Sequence, residues 1–177
     1  MSEPAPRRIA ITGAPGAGKS TLLHALGDRG WLVVPEAART ILQRPGGMEL
    51  RADDPDGFAM AMLEMDRAAF EAVQPGQTVI FDRGFCDIVA FLRIEGRAAM
   101  PEVDAACRKL RFDCVLRAPA WKDIYRQDAE RIQTWEQAVE SDRQNLQAWR
   151  DYGYVPVDLP LADVEERVRA VEALLNR

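Results

Sequence analysis

Short apolar runs alternate with amphipathic stretches along the chain. Five of these runs are nearly all apolar, and they predict strands at residues 8–12, 31–34, 78–81, 112–116 and 154–157. A strand that is apolar on both faces is typical of a parallel sheet covered on both sides. The pattern therefore favours a sheet buried between two layers of helices.

Apolar residues at helical spacing separate the strands. They predict helices at residues 19–28, 35–43, 58–73, 85–95, 102–109, 134–150 and 161–175. The buried face expected for the helix at 134–150 consists of Trp135, Val139, Leu146 and Trp149. Residues 48–57 are acidic and rich in turn formers, which predicts a mobile loop. Strands and helices in alternation indicate the α/β fold class.

The composition is that of a folded, acidic domain. Of the 177 residues, 47% are hydrophobic and 29% are charged, a balance that provides a sizeable core and excludes disorder for most of the chain. The length predicts a single domain over residues 1–177. The net charge of −5 argues against a general nucleic-acid-binding protein, which would carry a basic surplus.

The sequence carries no pattern typical of export or of a metal-binding cysteine cluster. No apolar stretch of a secretion signal follows the N-terminus, and no run approaches the roughly 18 apolar residues of a spanning helix. Cys86, Cys107 and Cys114 lack metal-ligand spacing and are expected to be free thiols. We therefore expect a cytoplasmic protein without a membrane partner.

A glycine-rich segment carries the strongest functional signal. Residues 13–20 read Gly-Ala-Pro-Gly-Ala-Gly-Lys-Ser and match G-x-x-x-x-G-K-[ST] at every fixed position, after a strand and at the start of a helix. Glycines let successive backbone N–H groups turn inward to form an anion nest, and the helix N-terminus adds positive potential. The alternative is a glycine-rich turn that only connects strand and helix, and the full match in this context argues against it.

The segment predicts a site for a nucleoside triphosphate, with ATP and Mg²⁺ as the expected cofactors. Lys19 is expected to reach the β- and γ-phosphates, and Ser20 is expected to ligate Mg²⁺. The predicted nucleotide-binding residues are Gly13, Ala14, Pro15, Gly16, Ala17, Gly18, Lys19, Ser20 and Thr21. The loop does not distinguish ATP from GTP.

Two further observations narrow the class of nucleotide-binding protein. The chain has no Asn-Lys dipeptide, so it lacks the N-K-x-D guanine motif of Ras-type GTPases. The third predicted strand ends in Asp82, followed by Arg83 and Gly84, where a hydrolytic motor would carry a second carboxylate to polarise water. A positive charge beside Asp82 favours the binding of a second anionic or polar substrate, with Arg83 as its contact.

These elements resemble the P-loop kinases. Residues 13–20, 82–84 and the arginine-bearing stretch 117–131 are similar to nucleoside and nucleotide kinases, including thymidylate- and deoxynucleoside-kinase-like proteins and the ribosylnicotinamide kinase domain. The chain resembles still more closely a group of bacterial AAA-domain predicted ATPases of unassigned substrate, with which it shares residues 35–39, 81–84 and 152–154. The resemblance implies a three-layer P-loop NTPase fold of about five parallel strands in the order 2-3-1-4-5, with helices on both faces and a lid-like segment at 117–131.

The resemblance also implies roles for residues near the strand ends. Asp82 would hold Mg²⁺ or take the proton from an acceptor hydroxyl, and Glu36 would face the same hydroxyl. The two carboxylates compete for the role of base, and that choice stays open. Two alternatives without a catalytic role also stay open. Asp82 would form an ion pair with Arg83 in one, and Glu36 would be a first-turn helix residue favoured by the helix dipole in the other. Arg39 and Arg83 would contact the acceptor, although Arg39 is equally compatible with an exposed helix face.

Arginines after the fourth strand complete the site that the resemblance implies. Arg117 would lie over the adenine ring, where a planar guanidinium stacks well. Arg126 and Arg131 of the lid-like segment would stabilise the migrating phosphoryl group. A charged helix in which Arg126 pairs with Glu130 is the alternative.

The expected function is that of a Mg²⁺-ATP-dependent kinase that phosphorylates a nucleoside, a nucleotide or another small metabolite. The expected partner is this small-molecule acceptor, and the protein is expected to be a monomer or a homodimer. The alternative is a nucleotide-dependent switch or ATPase module that acts on a protein partner. Asp82 followed by Arg83 in place of an acidic pair favours phosphoryl transfer, as do the arginines of the lid-like segment.

Overall fold

The computed structural model describes residues 4–125 and 133–176. In these ranges five strands form one parallel sheet in the order β2-β3-β1-β4-β5. Their bounds are β1 Arg7–Gly13, β2 Leu32–Val34, β3 Thr78–Asp82, β4 Cys114–Ala118 and β5 Val157–Asp158. The predicted α/β fold and its 2-3-1-4-5 strand order are confirmed.

Eight helices accompany the sheet in the described ranges. They are α1 Lys19–Asp28, α2 Ala37–Leu42, α3 Gly47–Asp53, α4 Pro55–Glu71, α5 Phe85–Ile94, α6 Pro101–Lys109, α7 Trp135–Asp151 and α8 Val164–Leu175. None of these helices combines the length and the apolar composition needed to cross a membrane.

The prediction of a loop at residues 48–57 is wrong. The segment forms most of α3 and the first turn of α4. Asp54 caps α4, because its side chain accepts a hydrogen bond from the backbone N–H of Gly57 at 2.9 Å, and Pro55 occupies the first helical position. Aspartate and proline begin helices as readily as they form turns, so this composition marks a boundary between two helices.

The central strand β1 sends alternate side chains to the two faces of the sheet. Ile9 and Ile11 pack with Leu22 of α1 and Val168 of α8. Ala10 belongs to the opposite face, where α4, α5 and α7 contribute to a second hydrophobic cluster. The loop that follows β1 is therefore supported by a buried layer on each side of its strand.

Aromatic rings pack α7 against the end of the sheet. The ring centroid of Phe112 lies 5.3 Å from that of Phe81 and 5.7 Å from that of Trp149. The Phe112 ring also lies 2.8 Å from the position that a Cβ on Gly84 would take. Trp149 of α7 lies 3.0 Å from the same position, so the absence of a side chain at Gly84 lets the turn after β3 approach α7.

The buried face of α7 differs from the one that the apolar pattern predicts. Val139 is 41% exposed, whereas Asp142 and Asn145 are 3% and 4% exposed. Each of these buried polar side chains has a partner: Asp142 pairs with Arg117, and Asn145 donates a hydrogen bond to the carbonyl oxygen of Gly13 at 3.2 Å. Hydrogen bonds compensate the burial of the two polar groups, and an apolar pattern does not register such partners.

Gly13→Ala tests the close approach of β1 to β4. A Cβ at Gly13 would lie 2.0 Å from the carbonyl oxygen of Ala118, and the φ of +134° is one that other residues rarely adopt. We expect the variant to lose roughly 3 kcal/mol or more of the free energy of unfolding, measured by urea denaturation. Gly30→Ala is the matched control, because Gly30 has a φ of +91° but no neighbouring atom within 4 Å. The control is expected to lose only about 1 kcal/mol, and equal losses would contradict the steric argument.

Candidate functional site

The glycine-rich loop joins β1 to α1 at the carboxyl edge of the sheet. Gly16 and Gly18 have φ values of 74° and 75°, in the left-handed region that glycine adopts without strain. The backbone N–H of Ala14 anchors the loop by donating to the carbonyl oxygen of Ala118 at 3.1 Å. A glycine-rich turn at a helix N-terminus suits phosphate oxygens, because the first backbone N–H groups of a helix have no partner within the helix.

Lys19 is the first residue of α1 and is 8% exposed. Burial lowers the pKa of Lys19, and the nearby positive charge of Arg83 acts in the same direction. The carboxylates of Asp82 and Glu36 oppose this shift. The lysine therefore lies within the field of the two candidate carboxylates as well as at the loop.

Arg83 joins the ends of three strands and the start of α5. It follows β3 with a φ of 73°, and its Nε donates to Oε1 of Glu36 at 2.9 Å. Its Nη1 donates to the carbonyl oxygen of Gly13 at 3.3 Å and to Oδ1 of Asp87 at 3.4 Å. Burial by itself lowers the pKa of Arg83, but Glu36, Asp87 and Asp82 outweigh burial and raise it. Arg83 is therefore a permanent positive charge with carboxylates around it.

Glu36 lies between the end of β2 and the start of α2. Burial by itself raises the pKa of this carboxyl group, but Arg83, together with Lys19, outweighs burial and holds the pKa below its ordinary value. Glu36 is thus an ionised carboxylate with one oxygen bound to Arg83.

Asp82 is the last residue of β3. Its Oδ1 atom is buried and has no hydrogen-bond partner among the described residues. Burial raises the pKa of Asp82, and Lys19 partly opposes the shift. The two candidate carboxylates therefore differ: Glu36 is held ionised by an arginine, whereas Asp82 has a buried oxygen that a bound cation would satisfy.

A cleft of about 410 Å³ brings several of the predicted residues together. Its lining includes Ser20, Glu36, Arg39 and Asp82. Hydroxyl and carboxylate oxygens suit Mg²⁺, which takes few protein ligands and completes its shell with water and phosphate oxygens. In residues 4–125 and 133–176, no group of three or more His, Cys, Asp or Glu side chains is arranged to hold a metal by itself. Ser20 and Asp82 therefore fit a metal ion that binds together with a nucleotide.

Asp87 is an organising residue that the sequence analysis missed. It accepts hydrogen bonds from the hydroxyl of Thr12, from the backbone N–H of Gly84 at 3.0 Å and from Nε1 of Trp149 at 3.2 Å. It also faces Arg83. Its position in the first turn of α5, four residues after Arg83, is the signal that could have revealed it.

Asp66 of α4 was also missed, and it adds a carboxyl group to the same region. It is 8% exposed. Burial, reinforced by the nearby carboxylates of Asp87, Glu36 and Asp82, raises the pKa of Asp66 to about 8. The side chain is therefore protonated at neutral pH.

Arg117 of β4 is bound by two carboxylates. Its guanidinium lies 2.7 Å from Asp142 of α7 and 2.9 Å from Asp158 of β5. Through these pairs Arg117 joins β4, α7 and β5. Stacking of its guanidinium face on adenine stays a prediction. Arg126 and Arg131 lie outside the described residues, and their roles also stay predictions.

A second cleft, of about 370 Å³, adjoins the glycine-rich loop. Its lining includes Gly16, Gly18, Thr21, Trp121, Ile124 and Arg167. Arg167, which was not among the predicted site residues, is 3% exposed and lies beside Val168 on the buried face of α8. A charged residue within an apolar helical stripe is the signal that could have revealed it.

A family model described as an AAA domain matches residues 8–167. The chain belongs to this family. A nucleotide-binding protein of Cutibacterium acnes is 29% identical to it over 107 residues, which cover 59% of this chain and 36% of that protein. The AAA-domain chain thus spans about a third of the length of this relative. The predicted resemblance to AAA-domain, P-loop-kinase-like proteins is confirmed.

Two solved structures share the fold over nearly the whole of the AAA-domain chain. Deoxyadenosine kinase from M. mycoides with bound dATP matches with a TM-score of 0.70 at 16% identity, over 96% of this chain and 100% of that one. Thymidylate kinase from Candida albicans matches with a TM-score of 0.65 at 13% identity, over 99% of this chain and 93% of that one. At these identities the likeness shows the P-loop nucleotide-kinase fold alone.

Asp66→Asn tests the buried carboxyl group of α4. The folded protein keeps the Asp66 proton up to pH about 8, whereas the unfolded chain releases it near pH 4, so Asp66 destabilises the fold progressively as the pH rises between these values. We expect the variant to gain stability over the wild type by up to about 1.4 kcal/mol per pH unit in this window.

Urea denaturation between pH 5 and pH 8 measures this gain. Glu64→Gln, which changes an exposed carboxylate on the same helix, is the control and is expected to show no such trend. A gain for Asp66→Asn that does not grow with pH would contradict the assignment of a raised pKa.

Proposed function

We propose that this AAA-domain protein is a kinase that transfers the γ-phosphoryl group of ATP, with Mg²⁺, to a hydroxyl group of a small molecule. The observation that supports this best is the cleft lined by Ser20, Glu36 and Asp82, in the field of Lys19. It sets two chemically different carboxylates beside the end of the loop that binds the terminal phosphates in P-loop proteins. One carboxylate suits a metal and the other suits an acceptor.

The donor end of the site is the glycine-rich loop with the residues around it. In this proposal the backbone of residues 13–21 binds the phosphates, and Lys19 contacts the β- and γ-phosphates. Ser20 and Asp82 hold Mg²⁺, and the unsatisfied Oδ1 of Asp82 supports this role. When bound, the metal neutralises charge on the phosphate oxygens. Arg126 and Arg131 are proposed as further cations around the transferred group.

The acceptor end of the site centres on Glu36. Arg83 fixes one carboxylate oxygen of Glu36 and keeps the group ionised, so the other oxygen can accept a hydrogen bond from the acceptor hydroxyl and take its proton. The transition state of phosphoryl transfer is loose, so catalysis depends chiefly on positioning of this kind. We therefore assign Glu36 as the acceptor-orienting base and Asp82 as the metal ligand.

The charges near the acceptor favour a hydroxyl compound without a phosphate group. The related structures are a deoxyadenosine kinase and a thymidylate kinase, so a nucleoside and a nucleotide are both acceptor classes to consider. Glu36 and Asp87 already compensate Arg83. In the described part of the cleft, Arg39 is the remaining arginine. A phosphate-bearing acceptor would need more cations, so we infer a nucleoside-like acceptor.

ADP release from Mg²⁺-ATP, with and without a panel of nucleosides, nucleoside monophosphates and sugar-like metabolites, tests the proposed function. We expect a large increase in rate with a nucleoside-like compound and little increase with its monophosphate. Lys19→Ala is expected to weaken ATP binding and activity together, because it removes a cation that contacts the phosphates. A slow rate that no acceptor changes would contradict the kinase proposal and favour a nucleotide-dependent switch.

Asp82→Asn and Glu36→Gln separate the two carboxylates. Asp82→Asn is expected to bind ATP in the absence of Mg²⁺ as the wild type does, but to need far more Mg²⁺ for turnover, because it removes an anionic ligand. Glu36→Gln is expected to keep the Mg²⁺ dependence of ATP binding and to lose about 100-fold or more of the acceptor-dependent rate. Steady-state kinetics over a Mg²⁺ titration measures both effects. The reverse pattern would exchange the two roles, and unchanged turnover in both variants would contradict the assigned site.

A further inference from the structure

Arg167 of α8 is a buried side chain that reaches the glycine-rich loop. It is 3% exposed, and its Nη1 donates a hydrogen bond to the carbonyl oxygen of Ala17 at 2.7 Å. The same Nη1 lies 2.9 Å from the position that a Cβ on Gly18 would take. The guanidinium is therefore packed against the backbone of the loop.

The positive charge of Arg167 is not compensated within the described residues. No carboxylate there forms an ion pair with it, and its buried Nε has no hydrogen-bond partner. Burial alone lowers the pKa of Arg167. Asp163, at the start of the same helix, accepts a hydrogen bond from the backbone N–H of Glu166 at 2.8 Å and acts as the helix cap.

Arg83 and Arg117 are shielded arginines that differ in this respect. Arg83 pairs with Glu36 and Asp87, and Arg117 pairs with two aspartates. A guanidinium stays protonated in proteins, so a buried arginine without an anion is unfavourable unless a ligand supplies one. The side chain of Arg167 therefore points to an anionic ligand.

The surroundings of Arg167 identify the class of anion. The side chain lines the cleft of about 370 Å³ together with Gly18, Thr21 and Trp121. Inward-facing N–H groups of such a loop bind phosphate oxygens. Lys19 lies instead in the field of the carboxylates at the ends of β2 and β3, which is the side of the γ-phosphate. The cleft of Arg167 is therefore the side of the phosphate next to the nucleoside.

We propose that Arg167 binds the α-phosphate of the nucleotide and that this ion pair holds α8 against the glycine-rich loop. The proposal rests on the nucleotide binding proposed above, and it adds a residue from outside the loop motif to that site. A guanidinium has five N–H donors. One of them can keep its bond to Ala17 while others bind phosphate oxygens.

Arg167→Met and Arg167→Lys test the proposal, with Arg169→Met as the matched control because Arg169 is exposed on the same helix. Calorimetry measures the binding of Mg²⁺-ATP, Mg²⁺-ADP, AMP and adenosine, and the melting temperature is measured without nucleotide. We expect Arg167→Met to lose about 10- to 100-fold in affinity for ATP, ADP and AMP but none for adenosine. Its nucleotide-free melting temperature is not expected to fall, because an uncompensated buried charge is removed.

Arg167→Lys keeps a positive charge without the planar guanidinium, so we expect a smaller loss of affinity for the same three nucleotides. This variant tests the proposal if Arg167→Met does not fold. If the wild type and Arg169→Met bind ATP and the Arg167 variants bind it with unchanged affinity, the role of Arg167 is overturned. The proposed function is then unaffected. A lower nucleotide-free melting temperature with unchanged affinities would also overturn it, because it identifies a structural arginine. A loss confined to ATP and ADP would overturn the assignment to the α-phosphate. A wild-type protein that binds no ATP would overturn the proposed function and this inference with it.

Discussion

The geometry of the candidate site depends on the buried guanidinium of Arg83. It donates hydrogen bonds to Glu36 after β2, to Asp87 in α5 and to the carbonyl oxygen of Gly13 at the end of β1. The side chain of Arg83 therefore joins the glycine-rich loop to the end of β2 and to the start of α5. Because a guanidinium stays charged in proteins, Arg83 keeps its positive charge over the range in which Asp66 changes its charge. Arg83 has a positive φ, which is a strained backbone conformation for a residue other than glycine. The strain occurs at the turn from which its side chain contacts the strand ends.

The glycine-rich loop is held in place by groups from distant parts of the chain. Ala118 accepts a hydrogen bond at the base of the loop, Asn145 of α7 donates to it, and Arg167 of α8 contacts it near Gly18. A loop held in this way is preorganised before a nucleotide arrives, so less conformational entropy is lost on binding. Both faces of the sheet take part, since α7 packs on one face and α8 on the other.

Charge compensation divides the region into two parts with different chemistry. Around β2 and β3, carboxylates compensate Arg83 and leave Asp82 with an unsatisfied oxygen among the described residues, an arrangement that suits a cation. Beside α8 the situation is reversed, because the guanidinium of Arg167 is buried with no carboxylate partner in residues 4–125 and 133–176, an arrangement that suits an anion. A nucleotide with a divalent metal carries both kinds of charge, and it would satisfy both parts at once.

The sequence by itself determined the features that depend on local pattern. Apolar runs predicted the parallel α/β sheet, the resemblance to P-loop kinases implied its strand order, and the spacing of residues 13–20 located the loop. The local pattern led to a wrong prediction of a loop at residues 48–57, because Asp and Pro begin helices as well as turns. The tertiary structure alone decided which distant groups meet these buried side chains: Thr12 and Trp149 donate to Asp87, Arg117 donates to Asp142, and Arg167 donates to the carbonyl oxygen of Ala17. Burial of a polar group is favourable only where such a partner exists, and the neighbouring sequence does not identify a partner that is distant in the chain.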